Sequence, residues 1–394
     1  MVRMTRFTPL ILATLMIAIA GCNTSSTPPA IVIGHVSDNT RADKAGVQAE
    51  LGMRLALGEL SKDGALAEVF GGKKIHVQHT DTEGVVDAFE SQAVRLFNIN
   101  RSVAILGGLS PKEVTALDHV KEPILTFHGQ PVTGASNQVF YLGMSATRQG
   151  QILASVAALD RGIDKVVILQ DERRSDAAAF VEAFQKKMIE GRQNWANQFP
   201  IITTIRFGKE TKPGEPFGSE NDWRDIVTRV AQLNPDAVAF AGSVQDFNAW
   251  RRICRKDKVL TAVRLIHAGT DGDHQFDRDP DAKTGILVAT AFHADPASEK
   301  VQSFLKAFRA MPAKTEANVN AALAYDGMRI LVEAMKQTPT QLTPEKLHES
   351  LLKTKDFDGL NGPLTINSDR QVQRPLFVMR WQGGALTLVQ AFPM

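Results

Sequence analysis

From Ile31 onward, short runs of β-branched and other apolar residues alternate with segments in which apolar residues recur every three or four positions. The first pattern predicts strands buried on both faces, the second helices with one apolar side. IVIGHV (31–36) precedes a helix over 44–60 with Leu51, Met53 and Leu55 on its apolar side, and KIHVQH (74–79) precedes a helix over 85–98. SVAILGG (102–108) precedes a helix over 112–119, and PILTFHG (123–129) follows. After QVFYLGMSATRQG (138–150) the alternation restarts: a helix to about 159, KVVILQD (165–171), a helix over 175–189, FPIITTIRF (199–207), a helix over 223–233 and DAVAFAG (236–242). A helix over 245–255 and the strands RLIHAG (264–269) and GILVATAF (285–292) complete this second run. Helices over 298–309, 318–337 and 344–352 come next, then the strands LTINSD, PLFVMRW and ALTLVQAF.

Such alternation implies parallel sheets with helical crossovers, and two runs imply two doubly wound α/β units. The polar, Gly- and Pro-containing stretch GKETKPGEPFGSEN (208–221) is expected to be an exposed excursion of the second unit. No repeat of solenoid period interrupts the pattern.

Composition narrows the function classes. Of 394 residues 43% are hydrophobic, enough for more than one packed lobe. The formal net charge is +2, and Arg3 and Arg6 in the first 21 residues account for it, so the rest of the chain is neutral. A nucleic-acid binder needs a basic surface, which this balance does not supply. The N-terminus has those two arginines followed by an apolar run over 9–20, about 12 residues long and too short to span a bilayer. It reads as a secretory signal. Ile19-Ala20-Gly21-Cys22 looks like a bacterial lipobox, with cleavage before Cys22 and a lipid on the new N-terminal cysteine. Residues 1–21 are then a signal peptide, and the Ser-, Thr- and Pro-rich 22–30 a tether. The one other cysteine, Cys254, lies in a helical pattern and is expected to be a small buried residue.

Catalytic and metal signatures are missing. Neither G-x-G-x-x-G nor G-x-x-x-x-G-K-[ST] occurs, nor a G-x-S-x-G elbow. His76 and His79 are three apart on a strand and point to opposite faces, so they are not expected to share a metal. The acidic loop DGDHQFDRDPDAK (271–283) has Phe276 where a calcium loop needs Gly and Ala282 where it needs Glu. A cofactor, a metal and an enzymatic role are therefore not expected.

The order of IVIGHVSDNT, GVQAELGMRLALGEL, GGKKIHVQHTDTEG, SVAILGGLS, PILTFHG, KVVILQDE, DWRDIVTRVAQLNPDAVAFAG, ANVNAALAYDGMRILVEAM and FDGLNGPLTINSDRQVQRPLFVMRW resembles the type I periplasmic solute-binding proteins of ABC transporters, in particular the branched-chain amino-acid (leucine-binding) group. The resemblance runs from Ile31 to the C-terminus. It implies two Rossmann-like lobes, 31–143 plus 291–369 and 144–290 plus 370–394. Three crossings join them, near 141–146, 291–294 and 368–374, and a ligand is held in the cleft between. Ligands of open α/β sheets bind beyond the carboxyl ends of the strands. The candidates are therefore Ser37, Asp38, Asp81, Leu109, Ser110, His128, Gly129 and Gln130 in lobe one, and Arg174, Ser175, Ser243 and Asp271 in lobe two.

Family members place Ser or Thr at the turn of Ser110 for an amino-acid carboxylate, and the resemblance implies that Asp271 matches the acid that pairs with the ammonium group. The following turn normally carries a Thr, where this chain has His128-Gly129-Gln130, and the Tyr that stacks on the ligand is replaced in the region of Arg173, Arg174 and Ser175. The resemblance implies a lipid-anchored periplasmic or cell-surface monomer that captures an amino-acid-like, amide or carboxylate solute, though not leucine, isoleucine or valine. It would deliver that solute to the membrane subunits of an ABC permease, without nucleic acid. The alternative is a ligand-sensing regulatory lipoprotein of the same fold.

Overall fold

The computed structural model describes residues 30–40, 44–85, 87–108, 110–192, 200–210, 217–269, 276–277 and 285–394. Cys22 and the rest of the N-terminal 29 residues lie outside them, as do Leu109 and Asp271. The first sheet contains β1 (Ile31–Ser37), β2 (Ile75–Asp81), β3 (Ser102–Gly107), β4 (Ile124–Thr126) and β5 (Val139–Tyr141), all parallel, in the order β2-β1-β3-β4-β5. Its helices are α1 (Ala45–Leu60), α2 (Ala65–Val69), α3 (Ala88–Asn98) and α4 (Pro111–Thr115). The second run supplies α5 (Ala146–Ala158), β6 (Lys165–Asp171), α6 (Ser175–Arg192), β7 (Ile201–Phe207), α7 (Glu220–Leu233), β8 (Ala237–Ala241), α8 (Val244–Lys256), β9 (Arg264–His267) and β10 (Ile286–Thr290). After α9 (Glu299–Arg309), α10 (Val319–Lys336) and α11 (Pro344–Leu352) come β11 (Phe357–Gly359), β12 (Gly362–Ile366) and β13 (Val372–Gln373), a small antiparallel sheet. Finally β14 (Leu376–Gln382) and β15 (Ala385–Phe392) complete a second, seven-stranded sheet of order β15-β14-β10-β9-β8-β6-β7, parallel except for its last two strands.

Both faces of the two large sheets are covered along their central strands, which is why those strands read as continuous apolar runs, whereas the edge strand β15 is exposed along almost its whole length. Successive residues point to opposite faces: Ile33 and Leu106 pack with Met53 and Met328, while Val36 and Ile105 pack with Phe89 and Leu117. In the second sheet Val166 and Ile168 meet Phe180 and Phe184, whereas Val167 and Leu169 meet the Trp223 side. Helix α10 lies close on α1 because Gly52 has no side chain: a Cβ there would come within 2.1 Å of the Ala321 carbonyl oxygen.

Four details differ from the pattern-based expectation. Helix α3 starts at Ala88, three residues later than the apolar spacing suggests. Helix α4 stops at Thr115, whose hydroxyl donates back to the carbonyls of Pro111 and Lys112, both at 3.1 Å, a local bond that competes with helix continuation. Helix α6 runs on to Arg192, because that buried guanidinium donates to the carbonyl oxygens of Asp160 (2.7 Å) and Ile163 (2.6 Å). The stretch 208–221 is not wholly an exposed excursion: Phe217 packs edge-on against Phe207 and Trp223, with ring centroids 5.2 and 4.8 Å away. Cys254 is buried, and burial pushes its thiol up to about 12.

The chain passes between the sheets after β5, again between β10 and α9, and a third time ahead of β14. At the third passage Gln371 forms a parallel bridge with Tyr141, and the Tyr141 amide donates to the Arg370 carbonyl at 2.8 Å. The Arg370 side chain donates to the Val139 carbonyl at 3.0 Å, so this segment is stitched along β5 before the chain enters the other sheet. Among the described residues no helix is long and apolar enough to cross a membrane.

Candidate functional site

The polar residues at the carboxyl ends of the strands divide into those satisfied within their own turn and those that face a second element. After β1, the buried Ser37 hydroxyl donates to Asn39 Oδ1 (3.2 Å), and Asp38 accepts from the amide and hydroxyl of Thr40 (2.9 and 2.5 Å). Asp81 accepts from the amides of Asn39 (3.2 Å) and Glu83 (2.9 Å). Burial pushes its carboxyl up, but those amides outweigh burial and hold it below the usual carboxylate range. Through the Asn39 amide, Asp81 ties the end of β2 to the turn after β1.

Ser110 caps α4: its hydroxyl accepts from the Glu113 amide (3.3 Å), while Glu113 Oε2 accepts from the Ser110 amide (2.8 Å) and hydroxyl (2.9 Å). The Glu113 carboxylate thus sits at the helix start where a ligand carboxylate was expected. Ser243 caps α8 and donates to Asp246 at 3.0 Å. Arg173 turns inward, contrary to either a ligand contact or a surface position. It donates to Asp171 through Nε (2.7 Å) and Nη2 (2.8 Å), and through Nη2 also to Asp246. All three side chains are at most 4% exposed.

What comes together across the two units is His128, Arg174 and Asp176. His128 lies on the loop after β4, held by its amide donating to the Thr126 hydroxyl (3.1 Å), which itself donates to the Gly108 carbonyl (2.6 Å). Arg174 grips Asp176 at the start of α6 through Nε (3.2 Å) and Nη2 (2.9 Å). Burial pushes the Asp176 carboxyl up, but the Arg174 guanidinium, with His128 in electrostatic reach, outweighs it and holds the carboxyl below its ordinary value. Gln149, Gly242 and Ala268 line the gap beside this pair, which is about 10 Å³, room for one water. Ser175 is exposed at the α6 start, and Gln130 is half-buried next to His128.

Gly129 has a backbone role: a Cβ there would lie 2.0 Å from the Met144 carbonyl oxygen, where the chain first leaves the first sheet. Gly129→Ala is expected to destabilise the protein by about 1–3 kcal/mol in urea unfolding; an unchanged midpoint would show that the two segments separate freely. A larger hollow of about 350 Å³ adjoins the passages and is lined by Gly129, Ser145, Arg148, Gln371 and Arg374 among others. It is roomy enough for a small solute. The smaller gap is the better candidate, because it lies at the carboxyl ends of β8 and β9 and carries the Arg174–Asp176 pair, with His128 of the first unit in electrostatic reach.

Asp176 and Gln149 were not singled out from sequence. The available signal for Asp176 was an acid two residues after Arg174 at a helix start. Also unforeseen is a pair on the first sheet: His79, which does not share a face with His76, meets His35 of the neighbouring strand, with Nδ1 atoms 2.9 Å apart.

Comparison with known proteins bears on this architecture. The leucine-binding protein of Thermotoga maritima superposes with a TM-score of 0.74 at 20% identity, covering 92% of this chain and 99% of that one. A solute-binding protein of an ABC transporter from Rhodopseudomonas palustris, in complex with 3,4-dihydroxybenzoic acid, gives 0.74 at 17% identity, covering 92% and 97%. The fold is that of the type I periplasmic binding proteins. A family model described as periplasmic binding protein matches residues 208–385. The branched-chain amino-acid transporter substrate-binding protein of Streptococcus pneumoniae, in complex with isoleucine, has the same type I fold, with a TM-score of 0.73 at 19% identity over 93% of this chain and 99% of that one. These neighbours are binding proteins, not enzymes. No curated protein sequence matches this chain. His128 follows β4 of the first sheet, whereas Arg174 and Asp176 follow β6 of the second.

Proposed function

We propose that this protein is the solute-binding component of an ABC transporter, held at the membrane by a lipid on Cys22. In this reading it closes two lobes, 31–143 plus 291–369 and 144–290 plus 370–394, over a small carboxylate-bearing solute and delivers it to the permease. The observation that carries the reading is the Arg174–Asp176 pair opposite His128 at the carboxyl ends of β6 and β4. When the lobes part, Arg174 offers a fork of donors to a carboxylate. Asp176 accepts from a hydroxyl or ammonium group on the same solute, and His128 supplies a third polar contact. Ser37, Asp38, Asp81, Ser110 and Ser243 then shape the rim, since their side chains are engaged in turns and caps. Gln130 and Ser175 border the opening.

Calorimetry with hydroxybenzoates, hydroxy acids and polar amino acids tests this reading. Binding of a carboxylate but not of its amide supports it, and binding of neither by the folded chain removes it. For the anchor, Cys22→Ser is expected to release the protein from membranes or leave it unprocessed. Mass spectrometry finding cleavage elsewhere and no acyl chain would overturn that expectation.

A further inference from the structure

Parallel pairing of β1 with β2 runs in register from Ile31 opposite Ile75, so the fifth residue of each strand, His35 and His79, fall side by side. Both rings turn toward α1, where Glu50 directs Oε2 to within 3.7 Å of His79 Nδ1. His35 is fully buried in a strand whose neighbours are apolar. Its only hydrogen-bond contact among the described residues is the other imidazole, and its Nε2 has no partner. An imidazole kept in such a place is a costly substitute for an aliphatic residue unless it binds something.

We propose that His35, His79 and Glu50 form a binding site for a divalent transition-metal ion of the zinc type. One ligand atom from each residue lies within 4.8 Å of the other two. Two nitrogens 2.9 Å apart and an oxygen 3.7 Å from one of them can all touch an ion at about 2.0–2.2 Å, the third distance closing by a small rotation of Glu50. Two imidazoles and one carboxylate are a donor set suited to zinc, with the fourth position left to water. That position has access to solvent, because the side chains of His79 and Glu50 are 20% and 18% exposed.

The surroundings act on the ligands as second partners of a metal site do. Arg54 Nε donates to Glu50 Oε1 at 2.8 Å, which leaves Oε2 for the metal. Asn39 lies 3.1 Å from His79 Nε2. Turning its amide over lets Oδ1 accept from Nε2–H and fixes the tautomer whose Nδ1 is free to ligate. Asp81, in electrostatic reach of His79, adds negative charge against that of Arg54. The ion would clamp the edge strand β2 to β1 and α1. This site is independent of the solute reading, since it shares no residue with His128, Arg174 and Asp176.

The test is titration of the purified full-length chain, without a polyhistidine tag, with zinc chloride by calorimetry. The expected result is one zinc ion per chain with micromolar or tighter affinity. His79→Ala and Glu50→Gln should each weaken binding by about tenfold or more, while His76→Ala, exposed on the same strand, leaves it unchanged. X-ray absorption of the zinc-loaded chain should show two imidazoles in the coordination shell. No binding by the wild type, or binding whose affinity survives both His79→Ala and Glu50→Gln, overturns the proposal. A circular-dichroism melt of each variant confirms that the variants are folded.

Discussion

Asp246→Ala is expected to lower the unfolding free energy by about 3–5 kcal/mol, more than any other single change considered for this fold. Asp246 accepts from the Arg173 guanidinium, from the Phe217 amide at 2.9 Å and from the Ser243 hydroxyl at 3.0 Å. One carboxylate therefore holds the end of β6, the end of the 208–221 stretch and the start of α8. Removing it takes one carboxylate from Arg173, whose side chain, like that of its other partner Asp171, is nearly inaccessible. A buried charge that loses a partner costs several kcal/mol, whereas an exposed pair would cost little. Asp246→Asn keeps the shape and some of the hydrogen bonds, so it should fall between the wild type and Asp246→Ala. Denaturant melts of the two variants check this, and equal loss in both would mean that shape, not charge, is what Asp246 contributes.

If the proposed carboxylate solute is right, Arg174→Ala is expected to weaken its binding by about 2–5 kcal/mol, at least about thirtyfold in Kd. On the same proposed reading, leucine, isoleucine and valine are not expected to bind. A branched-chain pocket pairs a carboxylate and an ammonium group while burying an aliphatic chain. Here the hydroxyl and amide of Ser110 are already committed to Glu113. Neither tyrosine can stack on a ligand in the described arrangement: Tyr141 is 1% exposed, and the Tyr325 hydroxyl donates to Glu59 at 2.5 Å. Burial, reinforced by Glu59, raises the Tyr325 phenol well above its ordinary range. Calorimetry on the wild type and on Arg174→Ala decides both points. Micromolar leucine binding, or an unchanged carboxylate affinity in the variant, would show that the solute is held elsewhere, with the hollow beside the chain passages the next place to look.

Strands and helices were legible because a doubly covered parallel sheet demands uninterrupted apolar runs, and IVIGHV, SVAILGG and DAVAFAG meet that demand without help from distant residues. Helix starts were legible for a similar local reason: Ser243, Ser298 and Thr343 each accept an amide from the first turn of α8, α9 and α11. The direction in which a polar side chain points was not legible. Ser37, Asp38, Asp81 and Ser110 sit at strand ends, as a ligand site requires, yet amides and hydroxyls a few residues away compete for the same atoms. Arg173 and Arg174 are neighbours in sequence, and one is locked into the interior while the other is partly exposed and pairs with Asp176. Besides the nearby Asp171, Arg173 is held by Asp246, more than seventy residues away, a partner that local sequence does not reveal. The His35–His79 pair was within reach, because IVIGH and IHVQH start and end alike, and aligning them as adjacent parallel strands puts the histidines together.

The antiparallel pairing of β10 with β14 has a consequence for how the molecule assembles. The partner of Ile286 is Trp381, and that of Thr290 is Phe377, so almost ninety residues of other structure separate the two sides of this seam. Contacts between such distant segments form late, since the chain between them must first be brought to order. Until β14 arrives, β10 is a bare, largely apolar border able to pair with another molecule. The growing protein thus carries an aggregation hazard at the β10 border of the second sheet, and β14 is what covers it.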